Sequence, residues 1–479
     1  MNVNLLAILP EILILVVGLL VLILDPFWKD ENRRVGLGWL TAGGLTAVLV
    51  LSLLFARPGD AALAFGGMIR HDWLAFVFKM LFIFAAGITS LFMMDVDKLG
   101  KRAEAYVLLL AATIGMNLMA SASDLVMLYL AIETTSIPMY VLAGFMLDDK
   151  KSTEAGFKYL LFGALTSAIF LYGLSLVYGF SGTTQFAEMR SYFLSMNPVS
   201  LGVIFLLIVG LGFKVSLVPF HFWAPDTYEG APTPVAGFLS TASKAAGFSV
   251  LLRLFITAFP QVVTDWQTLI AILAILTMTL GNLAALAQTN IKRLLAYSSI
   301  AHAGYALIGM VAHNELGVTA VIFYLMAYVL TNLAAFGIIM AFGQSTGTDE
   351  IRAYDGLSRR APYLGLAMLI AFLSLSGMPP FGGFIAKFLV FAAAIRAGWY
   401  WLVIIGVLNS IIGLYYYLTV LKYVYLYRMA GEDEAAHPIQ LSRPFVLGLT
   451  ILTLGIVLIG TFFAPWFGFA TDAARSLFF

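Results

Sequence analysis

Four lysines of this chain, Lys79, Lys214, Lys244 and Lys387, fall inside long apolar runs, as do Glu133 and His302. A charged side chain at the centre of a bilayer costs roughly 2.5 to 3.5 kcal/mol on insertion scales, so ionisable groups at that depth point first to an ion or proton pathway. Lys214 follows the uncharged stretch 201–213 and Lys244 the uncharged stretch 232–243, on either side of a proline-rich connection. Glu133 stands in LYLAIETTSIPMY, nine residues into its apolar run. At 1.5 Å per residue that is about 13 Å below the surface. Pro138, five residues later, removes a helix hydrogen bond and permits a bend beside it.

A carboxylate and an amine that are each expensive alone are expected to pair, so Glu133 is expected to meet Lys214. Moving the partner or its proton would then switch the lysine between charged and neutral states. Lys214 is expected to open the second half of a broken helix, at the positive dipole end. The plainer alternative is a static pair that orients two helices. His302, in LLAYSSIAHAGY with Ser298 and Ser299 one turn earlier, has the chemistry to give and take protons near neutral pH. Its plainer reading is a buried ring satisfied by a serine or a carbonyl. Lys244, His302 and Lys387 would extend a line of titratable groups away from Lys214, as a proton relay requires. Lys79, six residues past Trp73, is expected to snorkel to the interface. Asp124, Asp226 and Glu229 read as cap or loop acids, and Glu154 with Lys158 as a surface pair one turn apart.

These groups need helices long enough to carry them through a membrane. The composition supplies them: 61% of the 479 residues are hydrophobic and 11% charged, against about 45 to 50% and 25% in soluble proteins. Runs of about 20 apolar residues match helical spans, whereas barrel strands would be half as long. The net charge of +1 favours neither nucleic acid nor an anionic surface. With no cysteine, disulfides and thiolate-held iron-sulfur clusters are excluded. The five histidines (His71, His221, His302, His313 and His437) show no metal-ligand spacing. No Walker motif, dinucleotide-binding turn or hydrolase triad is present, so the chain is expected to hold no cofactor and to carry no electrons itself. The first apolar run, 5–24, has no basic residue before it, which predicts a retained helix rather than a cleaved signal.

Fourteen spans are expected: 5–24, 35–55, 73–94, 104–122, 125–147, 155–179, 199–220, 233–258, 267–289, 292–312, 317–342, 362–395, 399–427 and 444–468. An even number leaves both ends on one side. The loops of one side hold seventeen of the 27 lysines and arginines, from Lys29 through Arg428 and Arg443, whereas the other side holds six, Arg253 among them. The basic excess marks the cytoplasmic side, which puts both termini outside in a bacterium.

Spans 7 and 12 contain helix breakers. Gly210 to Phe213 precedes Lys214 and Pro219 follows it, and Gly377 to Phe384 precedes Lys387. If spans 4–8 and 9–13 are two five-helix units, these are the fourth member of each, and an odd-numbered unit enters from opposite sides in its two copies. That is the inverted-repeat pattern of transporters, with the site near the midplane. The expected fold is an all-α polytopic membrane protein of about 14 helices, divided into 1–103, 104–258, 259–430 and 431–479. The short match of Gly212-Phe213-Lys214 with Gly383 to Lys387 adds weak support for the repeat.

Three stretches, LGFKVSLVPFHFWAPDTYEGAPTPVAGFLSTASK, NIKRLLAYSSIAHAGY and SLSGMPPFGGFIAKF, resemble the signatures of the antiporter-like proton-pumping subunits of respiratory complex I, NADH-quinone oxidoreductase. The resemblance covers essentially the whole chain. Within that family the chain looks most like the subunit N branch: its length suits fourteen spans, no long lateral helix is expected after the last, and Lys387 stands where the subunit M branch has Glu. The resemblance implies that Glu133 and Lys214 form the proton-input pair, that Lys244 and His302 connect it onward, and that Lys387 is the terminal site. It also implies Glu154 and Lys158 as secondary positions, with His221 a further one. Flavin, iron-sulfur and quinone chemistry would belong to partner subunits. Other membrane subunits and lipid are the expected neighbours, in a bacterial inner membrane. A cation/proton antiporter subunit of the Mrp type shares these motifs and is the main rival, and a scaffold with inert buried charges is the second.

Overall fold

The computed structural model describes residues 4–28, 31–193, 198–427 and 439–478. Lys29, Arg428 and His437 lie outside the described residues. The chain runs through α1 (Leu9–Leu24), α2 (Glu31–Phe55), a small hairpin of β1 (Ala62–Ala64) and β2 (Ile69–His71), α3 (Trp73–Met93), α4 (Asp97–Gly100), α5 (Ala103–Ser121), α6 (Leu125–Ala143), α7 (Lys150–Ser181), α8 (Phe186–Met189), α9 (Pro198–Val215) and α10 (Trp223–Gly230). It continues through α11 (Thr233–Phe238), a π-helical turn at Leu239–Ser243, α12 (Lys244–Ala258), α13 (Val263–Leu286), α14 (Ile291–Val311), α15 (Glu315–Thr346), α16 (Leu357–Arg360), α17 (Pro362–Ser376), α18 (Gly382–Arg396), α19 (Tyr400–Tyr425), α20 (Arg443–Thr461) and α21 (Phe463–Phe478).

Among the described residues, twelve helical segments are long and apolar enough to cross a membrane. The two interrupted spans, α9–α10 and α17–α18, complete the fourteen expected from sequence. In a bilayer every backbone polar group must be satisfied within the protein, which is why long apolar stretches become helices here. The ends are set by local chemistry. Asp72, Asp124, Asn290 and Asn314 accept backbone N–H bonds at helix starts. Gly182, Gly347 and Gly377 end helices in the left-handed region that side chains avoid.

Burial sorts the spans into a centre and a rim. The segments Thr233–Ala258, Ile291–Val311 and Glu315–Thr346 are buried almost throughout, whereas α1, α7, α19 and α20 turn broad apolar faces outward. Lys244 and His302 lie on the central segments. Because lipid gives helices no hydrophobic reason to associate, close packing at small residues matters most. α6 and α7 cross where a Cβ on Gly156 would lie 2.7 Å from the Gly144 Cα.

Three features depart from expectation. The last apolar stretch is not one helix through residue 468: α20 ends at Thr461 and the 16-residue α21 follows. Phe463, Trp466 and Phe469 point outward from α21, and Ala470, Ala473 and Ala474 pack inward. This is the pattern of a helix lying along an interface. Arg253 is no loop residue. It is 1% exposed in α12, where its guanidinium grips Asp72 through two bonds of 2.7 and 2.8 Å. Lys79 does not snorkel. It is 3% exposed, and its Nζ sits 2.7 Å from Glu11 Oε1 of α1, a carboxylate that the sequence reading passed over.

Candidate functional site

The first helix break differs from the one anticipated. α9 continues past Gly210 and Gly212 to Val215, so Lys214 lies in the last turn of the first half-helix. It does not open the second half, and the dipole at a helix C-terminus favours rather than opposes its charge. The glycines serve packing: a Cβ at Gly210 would meet the Phe170 ring at 2.7 Å, and one at Gly212 would meet Phe220 at 2.8 Å. The chain leaves the helix at Ser216, whose φ is 59°. Trp223, the first residue of α10, donates its indole N–H to the Phe213 carbonyl at 3.0 Å and so satisfies a group near the end of α9.

Lys214 Nζ donates to Ser136 Oγ on α6, with Tyr140 and Phe213 ring centroids 6.0 and 5.9 Å away. Glu133 lies one turn before Ser136 and accepts a hydrogen bond from Ser167 on α7. The carboxylate and the amine are not in contact: Lys214 meets Ser136 and Glu133 meets Ser167, so the direct pairing expected from sequence is not formed. Residues three apart on a helix are neighbours, which keeps Glu133 within one turn of the hydroxyl that Lys214 meets.

Lys244 begins α12 directly after the π-helical turn, a type of distortion often found at functional positions. It is 1% exposed, and its Nζ donates to the Ser299 carbonyl at 2.9 Å and also to the Ser299 hydroxyl, with the Tyr228 ring centroid 5.9 Å away. Gly247, one turn on, would strike Val215 if it had a side chain, so α12 and the end of α9 pack against each other beside Lys214.

His302 sits three residues further along α14 than Ser299. Its Nδ1 meets the Tyr324 hydroxyl at 2.6 Å and its Nε2 meets the Tyr417 hydroxyl at 3.1 Å, and Tyr417 is also bonded to Ser298. The ring is thus satisfied by tyrosines, not by the serine or carbonyl considered from sequence. A small cavity of ≈ 10 Å³ lies between His302, Tyr324, Thr331 and Ser374. That is about the space one water needs, and the lining supplies polar partners.

Lys387 belongs to the second half-helix of the second break. Its Nζ donates to the Ser376 carbonyl at 2.9 Å and to Ser410 Oγ at 3.0 Å, with the Tyr305 ring centroid 4.8 Å away. Lys214 ends a first half-helix, whereas Lys387 is in the second turn of a second half-helix. The short match between the two glycine-lysine stretches is therefore not a structural equivalence.

The secondary candidates fall into two groups. Glu154 and Lys158 are joined at 2.7 Å, but Lys158 also reaches Asp226 at 2.6 Å, and Arg293 holds Asp226 and Glu229 at 2.7 and 2.9 Å. Asp226 and Glu229 are thus members of α10 that tie it to α7 and α14, not loop acids. Asp124 is an N-cap, one of the two roles left open by the sequence. His221 is buried in the first break, and its Nδ1 has no hydrogen-bond partner. Among the described residues, no group of three or more His, Cys, Asp or Glu side chains converges to hold a metal ion.

Sequence reasoning missed Ser136, Ser167, Tyr324, Ser376, Ser410 and Tyr417. Each is a hydroxyl or carbonyl within an apolar span, and such groups are common enough in membrane helices that type alone does not single them out. Buried amides within the spans, such as Asn332, which donates to Ser240 and Tyr328 in the middle of α15, were the more legible signal.

Residues 122–413 match the family described as NADH:quinone oxidoreductase/Mrp antiporter, TM. NADH-quinone oxidoreductase subunit N of Moorella thermoacetica is 44% identical over 473 residues, 98% of this chain and 98% of that one. The chain belongs to the subunit N family of NADH-quinone oxidoreductase. Subunit N of Rhodospirillum rubrum is 42% identical over 459 residues, 95% of this chain and 91% of that one. A chain of respiratory complex I from Thermus thermophilus superposes with a TM-score of 0.80 at 34% identity, covering 96% of this chain and 98% of that one. A chain of the Mrp complex from Dietzia sp. DQ12-45-1b, 20% identical with a TM-score of 0.87 over 99% of this chain and 98% of that one, shares the fold. In this subunit N family member, Glu133, Lys214, Lys244, His302 and Lys387 all lie inside the matched stretch, and Glu11 and Lys79 lie outside it.

Proposed function

We propose that this chain is a proton-translocating membrane subunit of a multisubunit NADH-quinone oxidoreductase, and that protons pass along Glu133, Lys214, Lys244, His302 and Lys387. The observation that carries the reading is the set of three buried lysines and a histidine, each bonded to hydroxyls or carbonyls and lacking a carboxylate counter-ion in contact. An amine held in this way is sensitive to any charge that approaches it, because nothing beside it fixes its protonation state. A proton gained at Lys214 raises the cost of protonating Lys244, and repulsion passes the charge along the row. Irregular backbone at membrane depth is tolerated where it is buried or lines a wet cavity, which suits both breaks.

The energy for this cycle comes from neighbouring subunits. The chain performs no redox step and holds no cofactor; flavin, iron-sulfur and quinone chemistry reside in partner subunits, in keeping with a chain that has no cysteine. Glu154, Lys158 and His221 are secondary positions near the entry end of the row. The protein resides in a bacterial inner membrane with both termini outside, and is organised as 1–103, two inverted five-helix units at 104–258 and 259–430, and 431–479.

A Mrp-type cation/proton antiporter subunit is the second reading, favoured by the shared fold. Replacing Lys214 with Met in the assembled complex and following NADH-driven acidification of vesicles tests the proposal. A sharp loss of pumping supports it, and normal pumping overturns it. Pumping that depends on sodium, in an assembly without flavin or iron-sulfur subunits, favours the antiporter.

A further inference from the structure

Asn117 of α5 is fully buried, yet neither atom of its side-chain amide has a hydrogen-bond partner. A buried amide left unsatisfied costs on the order of 1 to 3 kcal/mol per group, so a native site of this kind calls for water or a ligand. Three residues on, about 4.5 Å along the helix, the Ala120 carbonyl accepts two bonds from Arg253, at 3.1 and 2.9 Å. Ser249, also fully buried, donates its hydroxyl to the Ala246 carbonyl at 2.7 Å, which leaves its oxygen to accept, and lies one turn before Arg253 on α12 and on the same face. α5 and α12 run in the same direction as the fourth and eighth spans, so Asn117 and Ser249 occupy the same level.

On the other side of Arg253 is a pocket of ≈ 240 Å³ beside the β1–β2 hairpin, lined by Arg70, Ser123, Gln185, Arg253 and Thr257 among others. The hydroxyl of Thr257 is itself buried without a partner. Lys244 stands nine residues before Arg253 on α12, about 13.5 Å inward. Asn117 and Ser249 fill the level between them, and the Arg253–Asp72 pair forms the partition between that level and the pocket.

We propose that Asn117 and Ser249 hold water that connects Lys244, past the Arg253–Asp72 pair, to the pocket on the face that bears both termini. This gives the first half of the row its own aqueous opening, separate from the second break and Lys387. The proposal rests on the proton-translocation reading for its purpose, but its test does not depend on pumping.

Because the chain has no cysteine, single cysteines report access cleanly. Asn117→Cys and Thr257→Cys are made in the assembled complex, in sealed vesicles of both orientations. A small charged methanethiosulfonate is added during NADH turnover, and modification of this chain is read by its mass. Leu109→Cys, two turns inward on α5 and buried in apolar surroundings, is the control. Asn117→Cys is expected to react at least about tenfold faster than the control, a difference of about 1.4 kcal/mol, and from the terminal side. If Asn117→Cys blocks assembly, Ser249→Cys probes the same level. Modification of Thr257→Cys alone, or of the inner position only from the opposite side, overturns the proposal. Labelling as expected in a complex that pumps normally without Lys214 would leave the water route standing and remove the relay.

Discussion

Lys387 reaches back across the second helix break to the carbonyl of Ser376, the last residue of α17, at 2.9 Å. The amine thereby joins the two half-helices it lies between and satisfies an end carbonyl that no helical N–H can reach. Gly377 makes this possible. Its φ of 87° belongs to the left-handed region, and a Cβ there would stand 2.8 Å from the Lys387 Cδ.

Gly377→Ala is therefore expected to strain the turn by roughly 1 to 2 kcal/mol and to push Lys387 off Ser376. Proton pumping should fall while the complex still assembles. Native gel analysis and vesicle acidification on the same preparation check both halves.

The Glu11–Lys79 pair makes a sharper stability prediction. Breaking a buried ion pair by removing one partner costs about 3 to 5 kcal/mol, whereas replacing both by apolar residues is often neutral. Lys79→Met should lower the thermal stability of the complex, and the double change Glu11→Leu with Lys79→Met should restore most of it. Equal destabilisation by the single and the double variant would count against the pair.

Asp72 supplies a pH dependence. Burial alone would raise its carboxyl, but the charge and hydrogen bonds of Arg253, with help from Arg70 and the Ala75 N–H, outweigh that and hold it below the usual carboxylate range. A carboxyl depressed in the folded state adds stability that is present above its unfolded value, near 4, and is lost as pH falls through the folded value. Melting temperature followed downward from pH 5 should drop less steeply in Asp72→Asn than in the parent, which starts higher.

The network on α10 should matter less. Arg293, Lys158, Asp226 and Glu229 are all partly solvent-accessible, and such pairs are worth about 1 kcal/mol or less apiece. Arg293→Ala is expected to leave assembly intact and to reduce pumping by no more than a few fold, with the loss muted at high salt. Collapse of the complex would show that the network carries more structure than its exposure implies.

Much of this was written in the chain. Apolar run length defined the spans, and the alternation of basic loops kept their count in step even where a span is interrupted. Lone lysines, a histidine and a glutamate in those runs marked the row, because type and depth together are informative in lipid. What could not be read was orientation around the helix axis. Whether the Glu133 carboxylate or the Ser136 hydroxyl meets Lys214 depends on a turn of α6. Whether Lys79 snorkels or pairs depends on α1 bringing Glu11 alongside. Gly210 and Gly212 looked like breakers, but against Phe170 and Phe220 they act as packing surface. Arg253 looked like an interfacial residue until Asp72, far away in sequence, supplied its partner.

The measurement that tests the relay most directly compares Lys387→Arg with Lys387→Met in the assembled complex. Arginine keeps the charge but does not release a proton in a protein, so a relay that needs protonation to come and go should fail in both. Pumping is expected to fall by at least about a hundredfold in each, the scale on which a positioned proton-transfer group acts, with assembly retained. Pumping near the parent rate in Lys387→Arg would mean that a fixed charge suffices, and would contradict the account.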